Sequence, residues 1–261
     1  MRFITSDRVT LVYSDHGQGP AVVLLAGFGL AKEIWRAQIP VLVAAGYRVI
    51  NLDSRGQGQS QRTQTGQSLK RRARDAHELM TFLGLQRPVL VGHSLGAATW
   101  FAFIAEFGDQ EVRAIVDVDQ PPRLLPAPGW STGLKPLVWS KLPRYWQRPL
   151  GYAAFKAIDD DTAALIDATE IVAPFSSLSL LPLLIDHLDH DWRQVVRQLQ
   201  VPLLIIAGAE SPLFKPEFAA ITAQMTAAGT SVVIPQAGHL VMAEQATEFN
   251  RILLTFLTNL L

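Results

Sequence analysis

Five apolar runs punctuate the chain: AVVLLAG (21–27), YRVINLD (47–53), PVLVGHS (88–94), VRAIVDVD (112–119) and VPLLIIAG (201–208). Each has the length of a strand and little alternation with polar residues, the pattern of strands covered on both faces. Between them the period changes. In SLKRRARDAHELMTFLG, Leu69, Ala73, Ala76, Met80 and Leu83 recur at three- or four-residue steps and share one side of a helix. Strand and helix in alternation predict a doubly wound α/β domain with a mostly parallel sheet. Lys70, Arg71, Arg72 and Arg74 read as the solvated side of that helix.

The alternation breaks between residues 120 and 190. Seven of the sixteen prolines lie between Pro121 and Pro149, where a regular α/β unit could not hold them. Trp130, Trp139 and Trp146 share the stretch, and a disordered linker would lack such residues. The expected organisation is a core of residues 1–119 and 191–261 with a helical cap, 120–190, over the carboxyl end of the sheet. The three tryptophans are candidates for its underside and for a substrate pocket.

Composition narrows the class. With 261 residues, 49% hydrophobic and 18% charged, the chain can bury one large core. Its 23 basic and 23 acidic side chains cancel, so no global field draws it to nucleic acid or an anionic membrane. The absence of cysteine excludes disulfides, thiolate nucleophiles and Cys-ligated metals. The N-terminus carries polar residues every second or third position, and no run approaches the ~18 apolar residues of a membrane span, so a cytoplasmic location is expected.

Against this background VLVGHSLGAATWFAF carries chemistry. Gly92, His93, Ser94, Leu95 and Gly96 form GxSxG between an apolar strand and a helix, the setting of a nucleophile elbow. The turn is too tight for a Cβ at Gly92 or Gly96, and the small pair Ala97 and Ala98 lets the helix approach. Ser94 would project at a helix N-terminus as the nucleophile. Its base would be His239, on the loop between a last strand and a C-terminal amphipathic helix. His16 in an early turn, His77 within a helix, and His187 and His190 in the cap are poorer candidates, and His93 should point away from Ser94. Oxyanion donors are expected at Leu95 N–H and, from the AGFG turn (26–29), at Phe28 N–H. Asp53 and Arg55 of DSRGQGQS read as braces for their loop. Two carboxylates could orient His239: Asp119, at a strand end, or Glu210, in the loop GAESPLF. Asp117 would lie deeper on the same strand face as Asp119.

The AGFG turn, DSRGQGQS, GHSLG and AGH follow the order and approximate spacing of the α/β-hydrolase fold superfamily. They specifically resemble its small esterase and cofactor-free haloperoxidase-like branch. Two departures stand out: Ala26 replaces the histidine many relatives carry before the oxyanion glycine, and Ser211 stands where the usual acid would be. VDQPP followed by GAESPLF resembles the subgroup with its acid on the earlier strand, which favours Asp119 over Glu210. The resemblance implies a serine hydrolase that cleaves small to medium uncharged esters through an acyl-enzyme on Ser94. No metal or organic cofactor is implied, and the partner is a small-molecule ester, with a homo-oligomer left open. A serine at the elbow sets aside the aspartate chemistry of haloalkane dehalogenases and epoxide hydrolases. Two other classes stay open: a cofactor-free dioxygenase using the His and Asp pair, and a ligand-binding homologue without catalysis.

Overall fold

The computed structural model describes residues 1–135 and 153–260. All five apolar runs form strands, with bounds trimmed by one or two residues: β3 (Ala21–Leu25), β4 (Arg48–Asp53), β5 (Val89–His93), β6 (Ala114–Val118) and β7 (Leu203–Gly208). A last strand, β8 (Gly229–Ile234), closes one edge, and β1 (Arg2–Ile4) and β2 (Thr10–His16) close the other. The order is β1-β2-β4-β3-β5-β6-β7-β8. Strands β3 to β8 run parallel, while β1 and β2 pair antiparallel. The polar spacing of the N-terminus thus belongs to an edge hairpin, and His16 ends β2 rather than sitting in a turn.

The period of two along each strand splits the core between the two faces of the sheet. Val23, Leu25, Leu90, Ile115 and Ile205 face α2 (Leu69–Phe82) and α3 (Leu95–Phe107). Val22, Leu24, Val91, Val116 and Ile206 face α1 (Ile39–Ala44) and the C-terminal helix. Ser68 caps α2 by accepting the Arg71 N–H. The basic stretch of α2 is not uniformly solvated. Lys70 and Arg74 reach outward to Glu106, but Arg72 is only 3% exposed and points under the DSRGQG loop.

Between β6 and β7 the described residues form α4 (Asp160–Val172), α5 (Leu181–Asp189) and α6 (Arg193–Gln198). Arg123 and Asp191 join the two ends of this segment through a β-bridge and a 3.0 Å ion pair. Trp139 and Trp146 lie outside the described residues. The chain ends in α7 (Glu217–Ala223), α8 (Val241–Glu244) and α9 (Ala246–Thr258). Among the described residues no helix is long and apolar enough to cross a membrane.

Candidate active site

The site gathers at the carboxyl ends of β3, β5, β6 and β7. Ser94 joins β5 to α3 with φ +52° and ψ −123°, a conformation that costs a non-glycine residue about 1–3 kcal/mol. Its N–H donates to Val118 O at 2.9 Å, hooking the elbow to the end of β6. A Cβ on Gly96 would lie 2.5 Å from Leu25 O, and one on Gly92 would lie 2.5 Å from Ala97 N. Both glycines are therefore required for α3 to pack this close, and Ser94 is left half-buried at the turn.

The carboxylate against His239 is Asp119. Its Oδ2 lies 2.7 Å from His239 Nδ1. Ser211 Oγ donates to the same oxygen at 2.7 Å, and Gly208 N–H donates to Oδ1 at 3.2 Å. Asp119 and Ser211 are fully buried, and Asp119 turns the chain out of β6 with φ +52°. Glu210 is exposed, and its N–H donates to Ala237 O. Asp117 is fully buried one step deeper; burial, and then the nearby Asp119 charge, push its carboxyl well above the usual range. Among the described residues no hydrogen bond joins Ser94 Oγ to His239, a contact that often closes only with substrate bound.

His93 does more than its place in the motif implied. Its ring turns to His239, 4.5 Å between centroids, and its Nε2–H donates to His239 O at 2.9 Å. Burial, then the neighbouring His239, hold it well below the ordinary histidine range. A neutral His93 can brace the loop without a second cation beside His239. Glu244, buried at the end of α8, accepts N–H bonds from Gly238 and Leu240 on either side of His239. It also accepts from Phe155 and Lys156, which ties the β6–β7 segment to the same loop.

Of the two expected oxyanion donors, Leu95 N–H is the first amide of α3 and has no acceptor four residues back. Phe28 follows β3 in a turn gripped by the buried side chain of Gln57. A Cβ on Gly27 in that turn would lie 3.0 Å from Ser94 Cβ, so turn and elbow touch. Neither Gln57 nor Glu244 carries a sequence signal. Each binds backbone groups, which no residue pattern reports. Asp53 and Arg55 do brace their loop: Asp53 accepts the Lys32 and Gln59 N–H groups, and Arg55 pairs with Asp75 and Asp7.

The segment between β6 and β7 lies against these loops. Ala153 O accepts the His239 N–H at 2.8 Å, and the Phe175 ring meets Phe28 edge-on at 5.1 Å. Beside them is a cavity of about 550 Å³ whose apolar wall includes Leu30, Phe155, Ile158, Ile166 and Leu240, with Lys156, Asp160, Asp167 and Glu170 also facing it. Trp130 is not among its lining residues. It is buried in the core, and its indole N–H donates to Arg123 O at 2.8 Å, which makes it an anchor for the segment's first turn. Among the described residues no group of three His, Cys, Asp or Glu side chains could hold a metal ion.

A family model described as "Alpha/beta hydrolase family" matches residues 22–252. A Synechocystis sp. protein provisionally named a non-heme chloroperoxidase is 30% identical, over 97% of this chain and 96% of its own. A bifunctional esterase/perhydrolase from Acinetobacter calcoaceticus is 24% identical over 97% of this chain and 98% of its own. The solved structure of an esterase from Exiguobacterium antarcticum superposes with a TM-score of 0.87 at 21% identity, covering 98% of both chains.

Proposed function

The chain belongs to the alpha/beta hydrolase family, in its haloperoxidase-like branch, and on that premise we propose that it is a serine esterase working through an acyl-enzyme on Ser94. The observation that carries this reading is the 2.7 Å contact of Asp119 with His239 Nδ1, at a loop bonded to His93 next to a strained elbow serine. With the proton on Nδ1 held by Asp119, His239 Nε2 is the free base. It takes the Ser94 Oγ proton as that oxygen bonds to the ester carbonyl carbon. The developing oxyanion is met by the N–H groups of Leu95 and Phe28. Collapse breaks the bond to the alcohol, which leaves with the proton from Nε2. Water, deprotonated by the same nitrogen, then releases the acid and restores Ser94.

The cavity meets the His239 loop at Leu240, its apolar wall supports an uncharged acyl or aryl ester, and its three carboxylates, against Lys156 alone, disfavour an anionic one. We read residues 120–190 as the cap that covers this site. The test is turnover of p-nitrophenyl esters of graded chain length, with Ser94→Ala and fluorophosphonate labelling alongside. The wild type should hydrolyse the short esters and label at Ser94, and the variant should do neither while keeping its fold. Hydrogen peroxide is included as a second acyl acceptor because one relative is named both an esterase and a perhydrolase. Oxygen uptake without ester turnover would point to the dioxygenase class, and an inert, unlabelled protein to a binding role.

A further inference from the structure

Gln57 is 1% exposed and spans the turn that follows β3. Its Nε2 donates to Gly27 O at 2.8 Å and to Leu30 O at 3.2 Å, while its Oε1 accepts the Gly29 N–H at 3.2 Å. Gly27 C=O and Phe28 N–H belong to one trans peptide, so they point in opposite directions. Whatever holds the carbonyl on one side therefore aims the N–H on the other. A hydrogen bond accepted by that carbonyl also polarises the peptide and strengthens its N–H as a donor.

Behind Gln57 stands the buried Arg72. Its Nη1 donates to Gln57 Oε1 at 3.3 Å and its Nη2 donates to Arg55 O at 2.8 Å. This contact fixes which end of the Gln57 amide is oxygen, so that Nε2 must face Gly27 O. Burial pushes the guanidinium pKa down to about 9, against the opposing charge of Asp75, which leaves it a cation at neutral pH. A buried cation at the head of a hydrogen-bond chain is costly unless the chain uses it.

We propose that Gln57 and Arg72 are positioning residues for the oxyanion site: Arg72 orients Gln57, and Gln57 grips the Gly27 carbonyl so that the Phe28 N–H meets the tetrahedral intermediate. This inference rests on the esterase reading. It requires no contact between either residue and the substrate.

The experiment compares Gln57→Leu and Arg72→Met with the wild type, with rates counted per fluorophosphonate-titrated site. Gln57→Leu should lose roughly 10- to 100-fold in kcat with KM little changed, because an oxyanion donor acts in the transition state. Affinity for a trifluoromethyl ketone, whose adduct carries the same oxyanion, should fall in parallel. Arg72→Met should lose less, in the same direction, with Arg72→Lys between it and the wild type. A merely structural role would lower the thermal midpoint and the number of titratable sites while kcat per site and ketone affinity stayed at wild-type values, and that result overturns the proposal. Should Gln57→Leu fail to fold, Arg72→Met decides on the same two readouts. A wild type that neither labels nor turns over esters sinks the esterase reading and this inference with it. An active wild type with unaffected variants sinks the inference alone.

Discussion

Asp119→Asn removes the charge beside His239 at almost no change in shape. In the native site Oδ2 accepts from His239 Nδ1 and Ser211 Oγ, each at 2.7 Å, and Oδ1 accepts from Gly208 N–H at 3.2 Å. An amide can satisfy only one side of this set. With its oxygen toward His239, the NH₂ confronts the Gly208 N–H and the negative charge that would stabilise the imidazolium is gone. Flipped, the NH₂ meets His239 Nδ1 and forces the proton onto Nε2, the nitrogen that must accept it from Ser94. Either orientation should lower kcat by up to ~10⁴-fold, the value measured for the corresponding change in the serine-protease template. At 1.36 kcal/mol per decade that is about 5 kcal/mol of transition-state stabilisation. Glu210→Gln alters an exposed side chain and should keep kcat within about twofold. Ser211→Ala removes one neutral donor, a loss of about 1 kcal/mol, so about fivefold. The assay is p-nitrophenyl acetate hydrolysis per titrated site, with circular dichroism confirming each fold. A crippled Glu210→Gln beside a nearly intact Asp119→Asn would refute the reasoning.

Three further outcomes are expected. Glu244→Gln sets an NH₂ among the four N–H donors of Gly238, Leu240, Phe155 and Lys156, and should cost about 2–4 kcal/mol in urea unfolding, together with activity from a loosened His239 loop; an unchanged midpoint would contradict this. Asp117 has its folded pKa raised above the ordinary 3.8, so its contribution to stability is fully present below that value and is lost as pH rises toward the folded pKa, by up to about 1.4 kcal/mol per pH unit. Asp117→Asn should flatten the stability curve as pH rises above the ordinary carboxylate value, relative to the wild type, and parallel curves would disprove the assignment. Because Asp160, Asp167 and Glu170 face the cavity, a succinate hemiester should be hydrolysed with a higher KM than a butyrate of similar length, and Glu170→Gln should narrow the gap.

What could be read from the chain, and what could not, follows from where each residue's partner lies. The elbow was legible because its requirements are local: the glycines, the serine and the small residues of α3 lie within a few positions and constrain one another sterically. The strands were legible because two-sided burial leaves no polar alternation. Asp119 could be singled out by its strand end and by the resemblance of VDQPP and GAESPLF, but not by its own contacts, since its donors at Gly208 and Ser211 lie about 90 residues away in sequence. Ser211 could be seen to displace the usual acid, but not to donate to its replacement.

Arg72 shows the limit of periodicity most clearly. Amphipathic spacing assigns Lys70, Arg71, Arg72 and Arg74 of α2 to water, yet the face it defines is wide, and a residue at its margin can turn under a neighbouring loop when acceptors wait there. Those acceptors are Arg55 O and Gln57 Oε1, one of them a backbone carbonyl and neither a charge that would have predicted an ion pair. The same holds for Gln57 and Glu244, whose partners at Gly27, Leu30, Gly238 and Leu240 are mostly peptide groups that any sequence would supply. Side chains that do chemistry announce themselves through their type, because only serine, histidine and carboxylate can fill those roles. Side chains that aim a peptide are chosen by distance and direction, and these exist only once the strands have brought the β3 turn, the β4 loop and α2 to one edge of the sheet.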